Sequence, residues 1–184
     1  MNRTTLTLAA GLIAALLAGV QPVRAADPPA SRGSAASSAV SDSDRALMTK
    51  AAGGGLYEVE AAKMASQKAQ SAEVKQFADM LVQHHSAANE ELKALAATKS
   101  VELPKDAPAD KKNKMAALEK NSGASFDRAF IQQVGVSDHQ ADIKLFLMAS
   151  RSAKDAEVKA WATQTLPTLK EHLAAAQKLA GKKK

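Results

Sequence analysis

Residues 64–78 read MASQKAQSAEVKQFA, and residues 148–162 read MASRSAKDAEVKAWA. The two stretches lie 84 positions apart and share nine of fifteen residues, five of them not alanine. Alanine matches arise readily in such a chain; matched Met, Ser, Glu, Val and Lys do not. In each copy one apolar period of three and four ends and another begins. Ser71 and Asp155 stand at the same place between them, where each suits the N-cap of the helix that follows. The chain therefore reads as two copies of one helical hairpin.

Working outward, the apolar spacing predicts helices over about 43–69, 72–98, 125–153 and 156–180. Alanine, leucine, lysine, glutamate and glutamine dominate these segments, and no stretch alternates with the period of two that a strand needs. Between the hairpins, VELPKDAPADKKNKMAALEKNSGA holds Pro104 and Pro108 and reads as a long crossover with a short helix near 109–120. Two hairpins and one long connection give an all-α, ferritin-like four-helix bundle over residues 43–180, followed by the basic tail 181–184. Pro167 falls inside the last helix, where it removes one backbone hydrogen bond or kinks the helix near Gln164.

The first 25 residues carry Arg3, an apolar run from Leu6 to Val20, and Val23-Arg24-Ala25, the pattern of a secretory signal peptide cleaved after Ala25. A periplasmic or otherwise exported protein is expected; an uncleaved membrane anchor is the alternative, although the run is shorter than the roughly 20 residues a span requires. Residues 26–42, ADPPASRGSAASSAVSD, have the composition of a flexible linker. The chain has no cysteine, which excludes disulfides and thiolate metal sites and leaves stability to packing. Losing Arg3 and Arg24 takes the net charge from +6 to +4, and the six aromatic residues are too few for the stacking platforms of nucleic-acid readers.

The polar residues on the inward faces carry the functional information. With Val74 as origin and about 100° per residue, His85 falls at about 20°, within the stripe of Ala78, Leu81, Ala88, Leu92 and Leu95, while His84 falls at about 280°, at its edge. His172 lies among Val158, Ala162, Leu169, Leu173 and Ala176 on the fourth helix. On the third, Asp142 sits near the centre of the face with Asp138 and His139 to either side; the repeat maps Asp142 onto Glu58 of the first helix. Counted from turns near 70 and 154, Glu58, His85, His139 and His172 fall within roughly 9 Å of one another along the axis at about 1.5 Å per residue. One polar group from each helix at one depth needs a physical reason, since an isolated buried charge costs several kcal/mol. Two reasons are open. One is a mononuclear metal site of three imidazoles and one carboxylate, Glu58, His85, His139 and His172, with His84, Asp138 and Asp142 as outer partners. The other is a hydrogen-bonded network without any ion, in a structural or interaction domain of the cell envelope.

The segments YEVE, VKQFADMLVQHHSAANEELKALA, SGASFDRAF, VSDHQADIKLF and LPTLKEHL resemble the exported bacterial ferritin-like family known as domain of unknown function 4142, over about residues 43–180. The family's Glu-Val pair, Phe-Asp-Arg triplet, Asp-His step and Leu-Pro…His-Leu ending match Glu58-Val59, Phe126-Asp127-Arg128, Asp138-His139 and Leu166-Pro167…His172-Leu173, and its His-Ser step matches His85-Ser86. At His84 this chain departs from the acid that the family prefers. The resemblance implies the fold, an exported location and the same inward residues, and implies no activity.

Other chemistries fit poorly. A ferritin-type dinuclear oxidase needs about four inward carboxylates and Glu-x-x-His steps, but Val82 and Leu169 stand three residues before His85 and His172. Gly53-Gly54-Gly55 follows no strand and precedes no Gly-Lys-Ser/Thr, so it reads as close helix packing and not as a phosphate loop. No nucleophile accompanies the inward acids and histidines, so binding is expected and catalysis is not. Phe126-Asp127-Arg128 reads as helix-start chemistry, and Met64, Met80 and Met148 read as core filling. An imidazole-rich, sulfur-free set suits zinc, iron, copper or nickel better than calcium or magnesium.

Overall fold

The computed structural model describes residues 40–181. Residues 1–39, on which the expected signal peptide and linker fall, and Lys182–Lys184 of the expected basic tail lie outside the described residues. Ser41 caps α1 (Asp42–Lys68), its hydroxyl accepting from the Asp44 N–H at 3.2 Å, while Asp42 and Asp44 place negative charge at the positive end of the helix dipole. Helix α2 is Ala72–Thr98, α3 is Ala109–Glu119, α4 is Gly123–Phe130, α5 is His139–Ser152 and α6 is Ala156–Gly181. No strand occurs among the described residues, and no described helix is long and apolar enough to cross a membrane.

Helices α1 and α2 form one antiparallel hairpin, and the rod containing α4 and α5 forms the other with α6. Helix α2 packs beside α6 and α1 beside α4 and α5, so the crossover joins diagonally opposite helices of a four-helix bundle. Helix α3 lies in the crossover against α1 and α4.

The expected single helix over 125–153 is interrupted. Residues Ile131–Asp138 wind as a π segment between α4 and α5, with helical backbone angles at both junctions. The two hairpin turns show why. The Asp127 carboxylate accepts from the backbone N–H groups of Gln70 and Ser71, at 2.9 and 2.8 Å, and thereby clamps the α1–α2 turn. In the other half, Asp44 accepts from the N–H groups of Lys154 and Asp155, at 3.0 and 2.8 Å, and clamps the α5–α6 turn. These equivalent aspartates are 83 positions apart, whereas the repeated turn segments are 84 apart. The second half therefore holds one extra residue between clamp and turn, and a π segment is how a helix absorbs such an insertion without breaking. Asp127, expected as a favourable charge at a helix start, is instead a long-range clamp, because α4 begins at Gly123 and carries no acid in its first turn. Of the two expected caps, Asp155 accepts from the N–H groups of Glu157 and Val158, but the Ser71 hydroxyl makes no capping hydrogen bond.

The insertion also changes which residues face inward. A uniform 100° step puts Asp142 at the centre of the face; in the structure His139 and Asp138 are buried and Asp142 is half-buried. The core divides into two apolar clusters. One contains Tyr57, Phe77, Leu81, Phe126, Phe130 and Val134; the other contains Leu47, Met48, Leu92, Phe146, Val158 and Trp161. Glu58, His85, His139 and His172 come from the helix levels where one cluster gives way to the other. Met148 is exposed, not core.

The glycines allow close approach, as expected for Gly53–Gly55. A Cβ on Gly55 would fall 2.0 Å from Asn89 Oδ1, and one on Gly135 would fall 2.7 Å from the Cβ of Ala176. Helix propensity favours Gly→Ala by about 1 kcal/mol. At Gly135 overpacking outweighs this, because the clashing atom is fixed to the α6 backbone and insertion of a methyl typically costs about 1–3 kcal/mol. Gly135→Ala should therefore lower the unfolding midpoint in urea. Gly54→Ala, whose added Cβ meets nothing nearer than 3.9 Å, should raise it.

Candidate metal centre

The three histidines of the layer are nearly sealed from solvent, with exposures of 6% for His85, 0% for His139 and 1% for His172; Glu58 is 2% exposed. Their ring nitrogens converge. His139 Nε2 lies 3.3 Å from His85 Nε2 and 3.1 Å from His172 Nδ1. On a tetrahedral ion with metal–nitrogen distances of about 2.0–2.1 Å, ligand nitrogens stand about 3.3 Å apart. The two separations at His139 Nε2 match the spacing of ligands to one ion, and one ligand atom from each of the three rings lies within 4.8 Å of the others.

The opposite edges of the rings are held by hydrogen bonds. His139 Nδ1 lies 2.8 Å from the Val134 carbonyl, five residues back across the π segment. A carbonyl only accepts, so Nδ1 carries the proton and Nε2 presents a lone pair to the cluster. His85 Nδ1 lies 3.1 Å from Glu58 Oε2, and His172 Nε2 lies 2.8 Å from Nδ1 of half-buried His84, the two rings stacked 17° from parallel. Each converging histidine therefore has an outer partner on its other nitrogen, the arrangement that orients metal-binding imidazoles.

Burial, reinforced by the neighbouring imidazoles, holds the His85 pKa well below its ordinary value. Burial also lowers His139, against the raising effects of the Val134 carbonyl and Asp142, and it takes His172 down to about 3 with help from His139 and His84. Neutral imidazoles are the form that binds a cation. Burial and then the adjacent Asp142 raise Glu58 well above the usual carboxylate range, and burial raises Asp142. Glu58 Oε1 and Asp142 Oδ2 are buried with no protein donor. A proton on Glu58 Oε1 donated to Asp142 Oδ2 satisfies both atoms and leaves Glu58 Oε2 to accept from the His85 Nδ1–H.

A proton count exposes a conflict in the cluster. An imidazole nitrogen has one in-plane lone pair, so His139 Nε2 accepts from His85 or from His172, not from both. Whichever donates, the other neutral ring is left with a buried nitrogen and no partner at this point. An unmade buried hydrogen bond costs about 1–3 kcal/mol, and an added proton would place a charge in the core. One cation accepting all three lone pairs removes the conflict.

The structure arranges the other expected residues differently. Glu58, expected as a fourth ligand, sits against the Nδ1 edges of His85 and His139, at 3.1 and 3.5 Å, across the rings from the converging nitrogens. Asp138, expected beside the ligands, turns toward the crossover: it accepts from the Tyr57 hydroxyl at 3.1 Å, from Lys111 Nζ at 3.1 Å and from Lys114 Nζ. Gln133 Nε2 donates to the Tyr57 oxygen at 2.8 Å, and Lys111 Nζ lies 4.8 Å from the centre of the Tyr57 ring. Burial raises the pKa of this phenol, which stays protonated and donates. Sequence reasoning missed Tyr57, Lys111, Lys114 and the Val134 carbonyl. The signal available was a buried aromatic with a polar end and two lysines one turn apart in the crossover.

Comparison with known proteins places this geometry in context. A DUF305 fragment from Deinococcus radiodurans is similar in fold, with a TM-score of 0.69 and 12% identity over 78% of this chain and 99% of that one. CopM, solved in a Cu(II)-bound form, is similar with a TM-score of 0.60 and 16% identity over 74% of this chain and 95% of that one. At these identities the likeness is one of fold. No curated protein sequence matches the chain. The model of the family described as domain of unknown function DUF4142 matches residues 29–179, which hold all but the last two residues of the bundle, and the chain belongs to that family.

Proposed function

We propose that this protein binds one transition-metal ion through His85 Nε2, His139 Nε2 and His172 Nδ1 and acts in metal handling or envelope stress after export. The observation that carries the reading is the convergence of three neutral imidazole nitrogens, 3.1 and 3.3 Å apart, in an arrangement no set of neutral protons satisfies. Glu58, the Val134 carbonyl and His84 act as outer partners that fix ring orientation. The donor set is nitrogen only and uncharged, which suits copper or zinc, with iron and nickel behind them. The fold likeness to CopM, a protein solved with Cu(II), makes copper the first ion to test. Such an ion supplies Lewis acidity and, if it is copper, one-electron chemistry; the protein's own residues hold and shield it.

The test is elemental analysis of the mature chain purified without an affinity tag, followed by titration of the metal-free form with Cu(II) and Zn(II). One ion per chain is expected for the wild type. An absence of stoichiometric metal, with no rise in melting temperature on adding either ion, would sink this reading and favour the ion-free network.

A further inference from the structure

Resting on that reading, we infer that His84 is the residue through which the cation enters, receiving it at the seam between α2 and α6 and passing it to His172. Close contacts or a covering helix narrow the other seams near the polar layer, although Asp142 on the acid side is half-buried. At the α1–α2 seam, Gly55 and Asn89 approach so closely that an added Cβ would fall 2.0 Å from the Asn89 side chain. Where the π segment meets α6, Gly135 lies against Ala176 and Phe77, with 2.7 Å left for a Cβ. Over the seam between α1 and the α4–α5 rod lies α3, fastened by Lys111 and Lys114 to Asp138 and to the Tyr57 ring. At the fourth seam the covering group is an imidazole. His84 is the one half-buried histidine of the four.

Lone-pair direction favours the same side. On the face occupied by Glu58 and Asp142, an incoming cation meets the Nδ1–H of His139, which is engaged by the Val134 carbonyl, and Glu58 already bonded to His85. The lone pairs that would bind it lie across the rings. His172 alone spans both regions, with Nε2 at 2.8 Å from His84 Nδ1 and Nδ1 at 3.1 Å from His139 Nε2. A cation held by His84 Nδ1 is therefore one ring-width from the cluster, and a swing of the His172 ring that releases its Nε2–H from His84 opens the way to the His172 Nδ1 lone pair with no proton transferred.

Stopped-flow uptake of Zn(II) from a chromophoric chelator, with the Kd measured separately at equilibrium, tests this on the full mature chain. His84→Asn keeps an acceptor for the His172 N–H but is a poor metal ligand. The expected result is an association rate lowered about tenfold or more for both His84→Asn and His84→Ala, with the dissociation rate lowered as well because the ion leaves by the same route. An outer partner that only orients His172 would instead weaken affinity by about 10–100-fold, chiefly through faster dissociation, at an unchanged association rate. That result for His84→Asn and His84→Ala overturns the proposal. So does slowed uptake by Asp142→Asn with normal uptake by His84→Asn, which would place entry on the acid side. A wild type that takes up no zinc or copper is a failure of the metal reading itself. Unchanged melting temperatures of the metal-free variants guard against misfolding as the cause.

Discussion

Replacing His139 with alanine is expected to weaken Cu(II) or Zn(II) binding by about a thousandfold or more. Structural zinc sites bind with about 10–16 kcal/mol shared among their ligands, so loss of one imidazole removes several kcal/mol, and about 4 kcal/mol is a factor of a thousand. His139 is the most informative of the three because its Nε2 is the nitrogen that both of the others approach. A stability readout accompanies the affinity: an ion present at a thousand times its Kd stabilises the wild type by about 4 kcal/mol, or roughly 10 °C in melting temperature for a domain of this size. The His139→Ala variant should show no such rise. If excess zinc raises its melting temperature as much as that of the wild type, the ion is bound elsewhere.

The second large effect lies at the ends of the bundle and not in its middle. Asp127→Ala and Asp44→Ala each remove a carboxylate, 8% and 2% exposed, that accepts two backbone N–H groups of a hairpin turn. Hydrogen bonds to a charged acceptor contribute about 1.5–3 kcal/mol each, so each variant should lose roughly 3 kcal/mol in urea unfolding. The two clamps sit at opposite ends of α1, separated by about 40 Å at 1.5 Å per residue, so the double variant should lose close to the sum. Metal stoichiometry should be unchanged in both single variants. A loss below about 1 kcal/mol would mean that water replaces the carboxylate at the turn.

These predictions draw on different layers of information. The repeat around residues 64–78 and 148–162 made the two hairpins legible, because helical hairpins are local structures and their apolar period is written in the chain. The common depth of Glu58, His85, His139 and His172 was legible for the same reason, since rise per residue converts position into height. The extra residue of the second half was present as the 83-residue spacing of Asp44 and Asp127, but one residue in a long helix leaves no mark in composition or period. Its meaning appears only when both aspartates are seen to grip equivalent turns.

Sequence by itself determined that this chain is an all-α bundle of two hairpins with three histidines and a carboxylate facing inward at one level. Tertiary structure alone decided that α2 lies beside α6, which brings His84 to His172, and that the π segment turns His139 Nε2 toward its two partners. It also decided that Glu58 supports the rings from behind. The reason is physical. Periodicity reports which face of a helix points inward and how far along the axis a residue stands, whereas ligation and hydrogen bonding depend on which nitrogen of a ring points where, and that is settled by groups distant in sequence: the Val134 carbonyl, the Glu58 carboxyl and the His84 ring.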